Sequence, residues 1–421
     1  MFCIWGSKSL LYGFSFAFVL SFWVTVHGQN IWPMPVSASS GHRTLYLSSN
    51  FELGTYGSNY SDSSGILKEA FERMVHVIKG YHTPKANFPD SDIALNTDGD
   101  MFARPPVLAG INISVHSTND TAATVFGAFH ALETFSQLCY FNFATKALEL
   151  HSAPWTIYDQ PRFPYRGLLI GNNCRYAERR GVNVLAEIDV PGHTTSWGIG
   201  YPSLWPSNGC RNPLDVTNEF AFEIIDGILS DFSKVFKFKF VHLGGDEVYT
   251  DCWKTTPHIT EWEETFNNFG DKLSNKTVVH TWLGKGVAQK VVAAGLRCII
   301  SNQKDQWYLD HVEIPWQRFY DNEPLTNIMD PDQQKLVLGG EACMWGEKID
   351  TSNIQRTIWP RAAAVAERLW TPFEKLAKNA TEVTSRLAHF RCLLNQRGIQ
   401  ASPLDGHVHH VPKEPGSCIN Q

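Results

Sequence analysis

The chain has 421 residues, and 36 Lys plus Arg against 42 Asp plus Glu leave a formal net charge of −6. This mild acidity argues against a nucleic-acid-binding protein, which usually presents a basic face. Hydrophobic residues make up 43% and charged residues 19%, so global disorder is excluded. The 14 Trp residues are more than a core needs and suggest a site with flat apolar walls.

Residues 1–28 are predicted to be a secretory signal peptide. Lys8 precedes a nearly uncharged apolar run, Leu10–Val26, and the small residue Gly28 follows, an order typical of cleaved signals. A signal anchor is the alternative, although the run is at the short end for spanning a bilayer. The expected location is therefore the secretory pathway, whether extracellular, cell-surface or vacuolar/lysosomal. Five sequons agree with glycosylation there, at Asn59, Asn112, Asn119, Asn275 and Asn379.

Residues 29–160 mix strand-like and helical stretches and are predicted to form a small α+β domain. Thr124–Leu138 has apolar residues at helical spacing, which predicts an amphipathic helix. The segment Ala153–Gly167 is rich in proline and aromatic residues and is typical of a domain junction.

Residues 161–392 contain six apolar runs separated by polar and helical stretches, which predict a parallel (β/α)₈-type barrel. Only eleven residues separate the first two runs, whereas a full βαβ unit needs roughly thirty. We therefore predict an α/β fold in which the barrel is incomplete, with about six strands, after the smaller α+β domain. The runs are Tyr165–Ile170, Val182–Val190, Phe240–Gly244, Thr277–Leu283, Arg297–Ser301 and Leu336–Trp345.

The segment HLGGDE, His242–Glu247, carries the sharpest chemical pattern. An apolar strand ends in two glycines and two adjacent carboxylates, and in a barrel that end is the catalytic face. Two neighbouring acids in a confined mouth do not ionise equally, so one can serve as a general acid. Asp246 and Glu247 are the predicted catalytic residues, with a solvated turn as the alternative.

Other strand ends also carry functional side chains. Asp189 could orient His193 in the segment AEIDVPGH, although a charged turn is equally compatible with these residues. Further strand ends offer tryptophans close to a tyrosine hydroxyl or a carboxylate. Indole faces pack against the apolar side of a sugar while acids bind its hydroxyls, so a sugar pocket is predicted. Its candidate residues are Trp282, Tyr308, Asp310, Trp345 and Glu347.

Nine cysteines are present, and eight remain once Cys3 leaves with the signal. Some should pair in an oxidising compartment, although the sequence alone does not determine the connectivity. Cys298 and Cys343 lie in apolar strand-like runs and are predicted to be buried free thiols. Cys210 and Cys252 both lie in loop-like sequence and could pair, whereas Cys392 and Cys418 flank a polar tail containing glycine and proline, 393–421, which a disulfide between them would tie down.

The motifs HLGGDE, AEIDVPGH, WYLD, GGEACMWGE and IWPRAAAVAERLW resemble the glycoside hydrolase family 20 β-N-acetylhexosaminidases, most closely the plant members. The resemblance runs from about Ile31 to Cys418, with gaps. It implies removal of terminal β-linked N-acetylglucosamine or N-acetylgalactosamine from glycans or glycoproteins, with retention and without a metal or cofactor, and it leaves a homodimer open. In this family the acetamido oxygen of the substrate attacks the anomeric carbon.

The resemblance also implies roles for single residues. Glu247 resembles the general acid, Asp246 the residue that holds the acetamido N–H, and Tyr308 the hydroxyl that binds the acetamido oxygen. The other implied roles are pocket walls for Trp282, Trp345 and, by residue type, Trp262; binding of ring hydroxyls for Asp310 and Glu347; support of the carboxylates for Asp189 and His193; and the disulfides Cys210–Cys252 and Cys392–Cys418.

The chain departs from the family pattern in three places. After Ile170 the family continues with an arginine that grips the sugar hydroxyls and then a second strand, and both are missing here. A helix and strand are missing near Thr260, and a shorter segment near Asn119–Thr121. The alternative to an active enzyme is thus a splice variant or truncated gene product, catalytically dead, that at most binds N-acetylhexosamine.

Overall fold

The computed structural model describes residues 30–80, 106–116, 123–142, 147–170, 180–236, 240–248, 270–303 and 306–404, with residues 145, 177, 238, 266 and 267. Within these ranges no helix is both long and apolar enough to cross a membrane. The predicted signal peptide, and the tail from residue 405 onward, lie outside the described residues. The chain divides into two units, one formed by the residues up to Arg162 together with those from Asn353 onward, the other by Phe163–Ser352.

The first unit contains a four-stranded sheet covered by two helices. The strands are β1 (Ser37–Gly54), β2 (Val107–Asn112), β3 (Cys139–Asn142) and β4 (Ala147–Tyr158), in the order β2-β1-β4-β3. The helices are α1 (Ile66–Gly80) and α2 (Ala123–Leu138), so the helix predicted from Thr124 is confirmed. Leu67 of α1 and Val125 of α2 are fully buried in one core with β1, β3 and β4, because the apolar stripes face the sheet.

The C-terminal helices also belong to the first unit. They are α8 (Ile354–Ile358), α9 (Arg361–Trp370) and α10 (Thr384–Gln396). The buried Trp32 donates its indole N–H to the Ala363 carbonyl at 2.9 Å, and the Arg386 guanidinium lies over its ring. These contacts join residues more than 300 positions apart. The sequence pattern assigned residues up to 392 to the barrel domain. The domain limits inferred from it stay predictions.

The second unit carries the six predicted barrel strands. They are β5 (Tyr165–Leu169), β6 (Ala186–Glu187), β7 (Val241–His242), β8 (Val278–Thr281), β9 (Arg297–Ile300) and β10 (Val337–Cys343). Among the described residues, the helices of this unit with described bounds are α3 (Thr195–Gly200), α4 (Glu219–Val235), α5 (Val287–Ala293), α6 (Trp316–Asp321) and α7 (Pro331–Gln334). One parallel sheet has the order β5-β10-β9-β8, and a second pairs β6 with β7.

The sheet order shows an incomplete barrel. The first strand, β5, pairs in parallel with the last, β10, as closure of a barrel requires. Among the described residues, no ladder joins β5 to β6 or β7 to β8. These two breaks coincide with the segments that the sequence predicts to be missing.

Strands next to the breaks are short or exposed. Val182–Val190 was expected as a long strand, but only Ala186–Glu187 forms a ladder, and its described pairing is with β7 alone. β10 lies between two neighbours and is buried along almost its whole length. By contrast, Leu168 of β5 is 40% exposed and Val241 of β7 is 39% exposed.

Candidate active site

The predicted catalytic residues meet at the carboxyl ends of β6 and β7. Backbone pairing continues beyond the ladder, since the Val190 N–H donates to the Leu243 carbonyl at 3.0 Å. The Gly245 N–H then donates to Oδ1 of Asp189, also at 3.0 Å. The segment before Asp246 is therefore held directly against the segment that carries Asp189.

The two glycines of HLGGDE permit this close approach. Gly244 and Gly245 have φ angles of +63° and +93°, a region that side chains with a Cβ rarely adopt. A Cβ on Gly244 would lie only 2.0 Å from Oδ1 of Asp189. The glycine pair is thus explained by backbone conformation and by space.

Gly244→Ala is expected to lower the free energy of unfolding by roughly 2–4 kcal/mol, because left-handed backbone and overpacking both add cost. Gly286→Ala is a matched control: Gly286 has φ +90°, but a Cβ there would come no closer than 3.9 Å to its neighbour Gln289 Oε1. The control should lose roughly 1–2 kcal/mol. Urea unfolding followed by circular dichroism measures both, and equal losses would contradict the tight contact with Asp189.

His193 lies among three carboxylates. Its Nδ1 is 2.5 Å from Asp189 Oδ2 and 3.9 Å from Asp246 Oδ2, and its Nε2 is 3.6 Å from Glu247 Oε2. Burial lowers the pKa of His193, but the hydrogen bond to Asp189 and the surrounding negative charges outweigh it and raise the pKa overall. Both His193 and Glu247 have φ +51°, so the backbone is strained where these side chains meet.

The two adjacent carboxylates have different environments. The Asp246 side chain is 18% exposed, and burial together with the charge of Asp189 raises its pKa to about 6. The Glu247 side chain is 63% exposed and can reach an incoming oxygen atom. Such a difference suits a division of labour between one positioned, half-buried acid and one accessible acid.

A second group of predicted residues comes from two places in the chain. Trp282 directly follows β8, and Tyr308 and Asp310 belong to a segment beside β10, residues 307–310, that pairs with the end of that strand. The Leu309 N–H donates to the Cys343 carbonyl at 2.7 Å, which brings Tyr308 next to the end of β10. The Tyr308 hydroxyl donates to the Trp282 carbonyl at 3.1 Å. Asp310 has a buried Oδ1 without a hydrogen-bond partner. Trp282 and Trp345 are half-buried, Glu347 is exposed, and Trp262 lies outside the described residues.

Sequence reasoning missed a polar network on the barrel strands, in which Glu187 is exposed and His280 is buried. His242 Nδ1 is 2.8 Å from Glu187 Oε1, and its Nε2 is 3.3 Å from His280 Nδ1. Between the paired strands β5 and β10, the Tyr165 hydroxyl donates to the carboxylate of Glu341. The signal was present in the sequence, because each of these residues lies within or beside an apolar strand run.

Burial and neighbouring charges shift the pKa values in this network. Burial raises the pKa of Glu341. Burial and the nearby His242 both lower the pKa of His280 well below its ordinary value. Burial also lowers the pKa of His242, but the hydrogen bond to Glu187 and the adjacent carboxylates outweigh it, so that the pKa is raised.

Two groups in the described part of the chain place potential metal ligands within 4.8 Å of one another. One is Asp189, His193 and Asp246, which belongs to the predicted catalytic group. The other is His280, Glu341 and Cys343, which lies in the interior of the second unit. Burial raises the pKa of the Cys343 thiol.

Cys298 and Cys343 are buried free thiols, which confirms that prediction. Cys210 and Cys392 are disulfide-bonded, but their partners lie outside the described residues. The pairings with Cys252 and Cys418 therefore stay predictions. Four sequon asparagines are exposed, whereas Asn119 lies outside the described residues; the four are Asn59, Asn112, Asn275 and Asn379.

Comparison with known proteins gives a consistent family. The profile described as glycosyl hydrolase family 20, catalytic domain, matches residues 165–262 and 259–373. Beta-hexosaminidase 3 and Beta-hexosaminidase 1 of Arabidopsis thaliana are 46% and 38% identical, each over 93% of this chain and 94% of the relative. A Vibrio harveyi family 20 exo-β-N-acetylglucosaminidase in complex with N-acetylglucosamine has a TM-score of 0.68 at 18% identity, covering 89% of this chain and 78% of that one.

These matches also bear on the missing segments. The alignment with Beta-hexosaminidase 3 spans 512 positions, more than the 421 residues of this chain, so it must open gaps here. The two matched pieces of the profile meet at residues 259–262, where the second loss is predicted. With the profile matched over residues 165–262 and 259–373 and a relative 46% identical over 93% of this chain, the chain belongs to glycosyl hydrolase family 20.

Proposed function

We propose that this protein is an exo-β-N-acetylhexosaminidase that releases terminal β-linked N-acetylglucosamine or N-acetylgalactosamine with retention of configuration. The observation that carries the proposal is the placement of His193 among Asp189, Asp246 and Glu247 at the carboxyl edge of the barrel strands. An accessible acid beside a half-buried one is suited to protonating a leaving oxygen while a neighbouring group orients the sugar.

The reaction begins with the acetamido oxygen of the substrate forming a bond to the anomeric carbon. The bond from that carbon to the leaving oxygen breaks, and Glu247 gives its proton to that oxygen. Asp246 accepts a hydrogen bond from the acetamido N–H, which directs the acetamido oxygen towards the carbon. Glu247, now a carboxylate, takes a proton from water as that water attacks the anomeric carbon and restores the acetamide.

Tyr308 and Asp310 supply two further contacts in this scheme. The Tyr308 hydroxyl has one hydrogen and donates it to the Trp282 carbonyl, so it must turn to donate to the acetamido oxygen. The unpartnered, buried Oδ1 of Asp310 is suited to accept a hydrogen bond from a sugar hydroxyl. Trp282 and Trp345 provide indole faces for the sugar ring, and Glu347 is available for a further hydroxyl.

A glycan-binding protein without turnover is the second candidate. The two breaks in the barrel favour it, because the lost segment after β5 includes the arginine that the family resemblance assigns to the sugar hydroxyls. Asp246 and Glu247 after β7 are still present in this chain although that arginine is missing. An experiment must therefore measure binding of N-acetylhexosamine and its hydrolysis separately.

Entry into the secretory pathway is part of the proposal. The apolar run Leu10–Val26 and the sequons support it, and four of the sequon asparagines are exposed where an attached glycan would meet solvent. Glycans and glycoproteins that end in N-acetylhexosamine are the proposed substrates there. A homodimer is part of the same proposal and can be tested by light scattering.

The test compares an aryl N-acetyl-β-glucosaminide with the matching aryl β-glucoside, using the full chain. Only the first substrate carries the internal nucleophile, so we expect turnover of the glucoside to be at least about 100-fold slower. Equal rates would contradict the substrate-assisted mechanism. Saturable binding of N-acetylglucosamine with no turnover of either substrate would favour the second candidate.

A further inference from the structure

An interior cluster of donor side chains has no part in the proposed hydrolysis. His280 of β8 and both Glu341 and Cys343 of β10 are at most 8% exposed. One potential ligand atom from each lies within 4.8 Å of the other two. Glu341 and Cys343 are two residues apart on one strand, so their side chains share a face. His280 comes from β8, which is separated from β10 by β9.

Ser301 shows how the imidazole and the thiol face one another. Its hydroxyl donates to the Glu341 carbonyl at 2.8 Å, lies 2.6 Å from His280 Nε2 and is 3.5 Å from Cys343 Sγ. Both Nε2 and Sγ therefore point at the same small, fully buried hydroxyl group. Because the Ser301 hydroxyl gives its one hydrogen to that carbonyl, His280 Nε2–H donates to Ser301, so binding of a cation requires Nε2 to release this proton and Ser301 to turn aside.

We propose that His280, Glu341 and Cys343 form a structural binding site for a zinc-like divalent cation. Imidazole nitrogen, thiolate sulfur and carboxylate oxygen are the ligand types that Zn²⁺ prefers. Bonds of about 2.0–2.3 Å place tetrahedral ligand atoms about 3.5 Å apart, so separations of up to 4.8 Å would have to shorten by up to about 1.3 Å. Movements of that size are within the reach of side-chain adjustment.

Two of the three proposed ligands also contact polar side chains outside the cluster, as ligands in natural metal sites do. The other ring nitrogen of His280, Nδ1, is 3.3 Å from His242 Nε2, and His242 is bonded to Glu187. The carboxylate of Glu341 accepts a hydrogen bond from the Tyr165 hydroxyl. Partners of this kind fix the orientation of ligating histidines and carboxylates.

Burial favours the protonated forms of Glu341 and Cys343, and a bound cation would displace those protons. An isolated thiolate and an isolated carboxylate are both costly in a buried environment. One divalent cation neutralises the two together, and the neutral imidazole adds a third bond without adding charge. The site would join β8 to β10 across the intervening strand, in the sheet whose outer strands face the two breaks.

The test uses the full chain after treatment with a chelator, with Co²⁺ as a spectroscopic probe. We expect one equivalent of Co²⁺ to bind, a thiolate-to-cobalt charge-transfer band to appear in the near ultraviolet, and Zn²⁺ to displace the probe. Cys343→Ser should remove the band and weaken binding by more than the roughly 10–100-fold that loss of an outer partner costs. None of these measurements depends on hydrolysis, so failure of the proposed function leaves the result readable.

Cys298→Ser is the matched control, since Cys298 is an equally buried free thiol on the adjacent β9 but lies outside the donor cluster. It should keep the band, as should Cys139→Ser. If Cys343→Ser does not fold, His280→Gln provides the same test. The absence of a band in the unmodified chain would overturn the proposal, and so would a band that survives Cys343→Ser or disappears in Cys298→Ser.

Discussion

Glu247→Gln is expected to lower kcat by about 10²–10⁴-fold on a substrate with a poor leaving group, because it removes the proton donor for the glycosidic oxygen. The amide has almost the same shape, and the 63% exposed side chain has little packing to lose. KM should therefore change much less than kcat. Steady-state kinetics on an N-acetyl-β-glucosaminide with an alkyl leaving group measures both quantities.

Varying the leaving group of the substrate distinguishes a general acid from a residue with a merely structural role. A highly activated aryl leaving group needs little protonation, so the loss in the first chemical step should be much smaller with it. Glu223→Gln, on the exposed surface of α4, is the control and should retain full activity. An equal loss with both leaving groups would contradict the role of Glu247 as general acid.

Restoring the two missing segments is expected to have the second large effect. Residues from Beta-hexosaminidase 3 that fall in the gaps after Ile170 and near Thr260 would be grafted into this chain. Two added strands would pair with the edges of β5, β6, β7 and β8 that have no partner among the described strands, and would bury side chains such as Leu168 and Leu243, which are now 40% and 48% exposed. Both the urea midpoint and the m-value should rise, since more surface is exposed on unfolding.

Activity should rise along with stability in the graft. The family arginine restores hydrogen bonds to the sugar hydroxyls, and bonds to a charged group contribute about 1.5–3 kcal/mol, so kcat/KM should increase at least about tenfold. A chain with Gly/Ser linkers of equal length at the same two positions is the control, because it adds residues without strands. If the linker chain matches the graft in stability and kcat/KM, the breaks in the barrel are not what limits this protein.

Much of the architecture was predictable because its signals are local. Each barrel strand is an apolar run with its own boundaries, and all six appear where they were predicted. The short spacing after Ile170 predicted a missing unit, and the sheet order shows a break there. Strand lengths were less predictable, because the extent of a ladder depends on the neighbouring strand as well as on local sequence, as at Ala186–Glu187.

The position of the proposed catalytic residues was predictable for a similar reason, and the positions of their partners only in part. Asp246 and Glu247 follow a strand and two glycines, so their place at the barrel edge depends on adjacent residues. The hydrogen bond between Asp189 and His193 spans four positions and is also local. The donation from the Tyr308 hydroxyl to the Trp282 carbonyl was not predictable, because those residues meet only when β8 and the segment beside β10 come together.

The sequence by itself determined the family motifs, the acids at the barrel edge, the two buried free thiols and the shortened barrel. Hydrophobic spacing, glycine conformation and chain length are local properties, and they suffice for these features. Only the tertiary structure decided which interior polar groups meet, since Tyr165 and Glu341 are 176 residues apart and His242 and His280 are 38 apart. Contacts of that kind depend on which strands are neighbours, and the loss of two strands changes those neighbours.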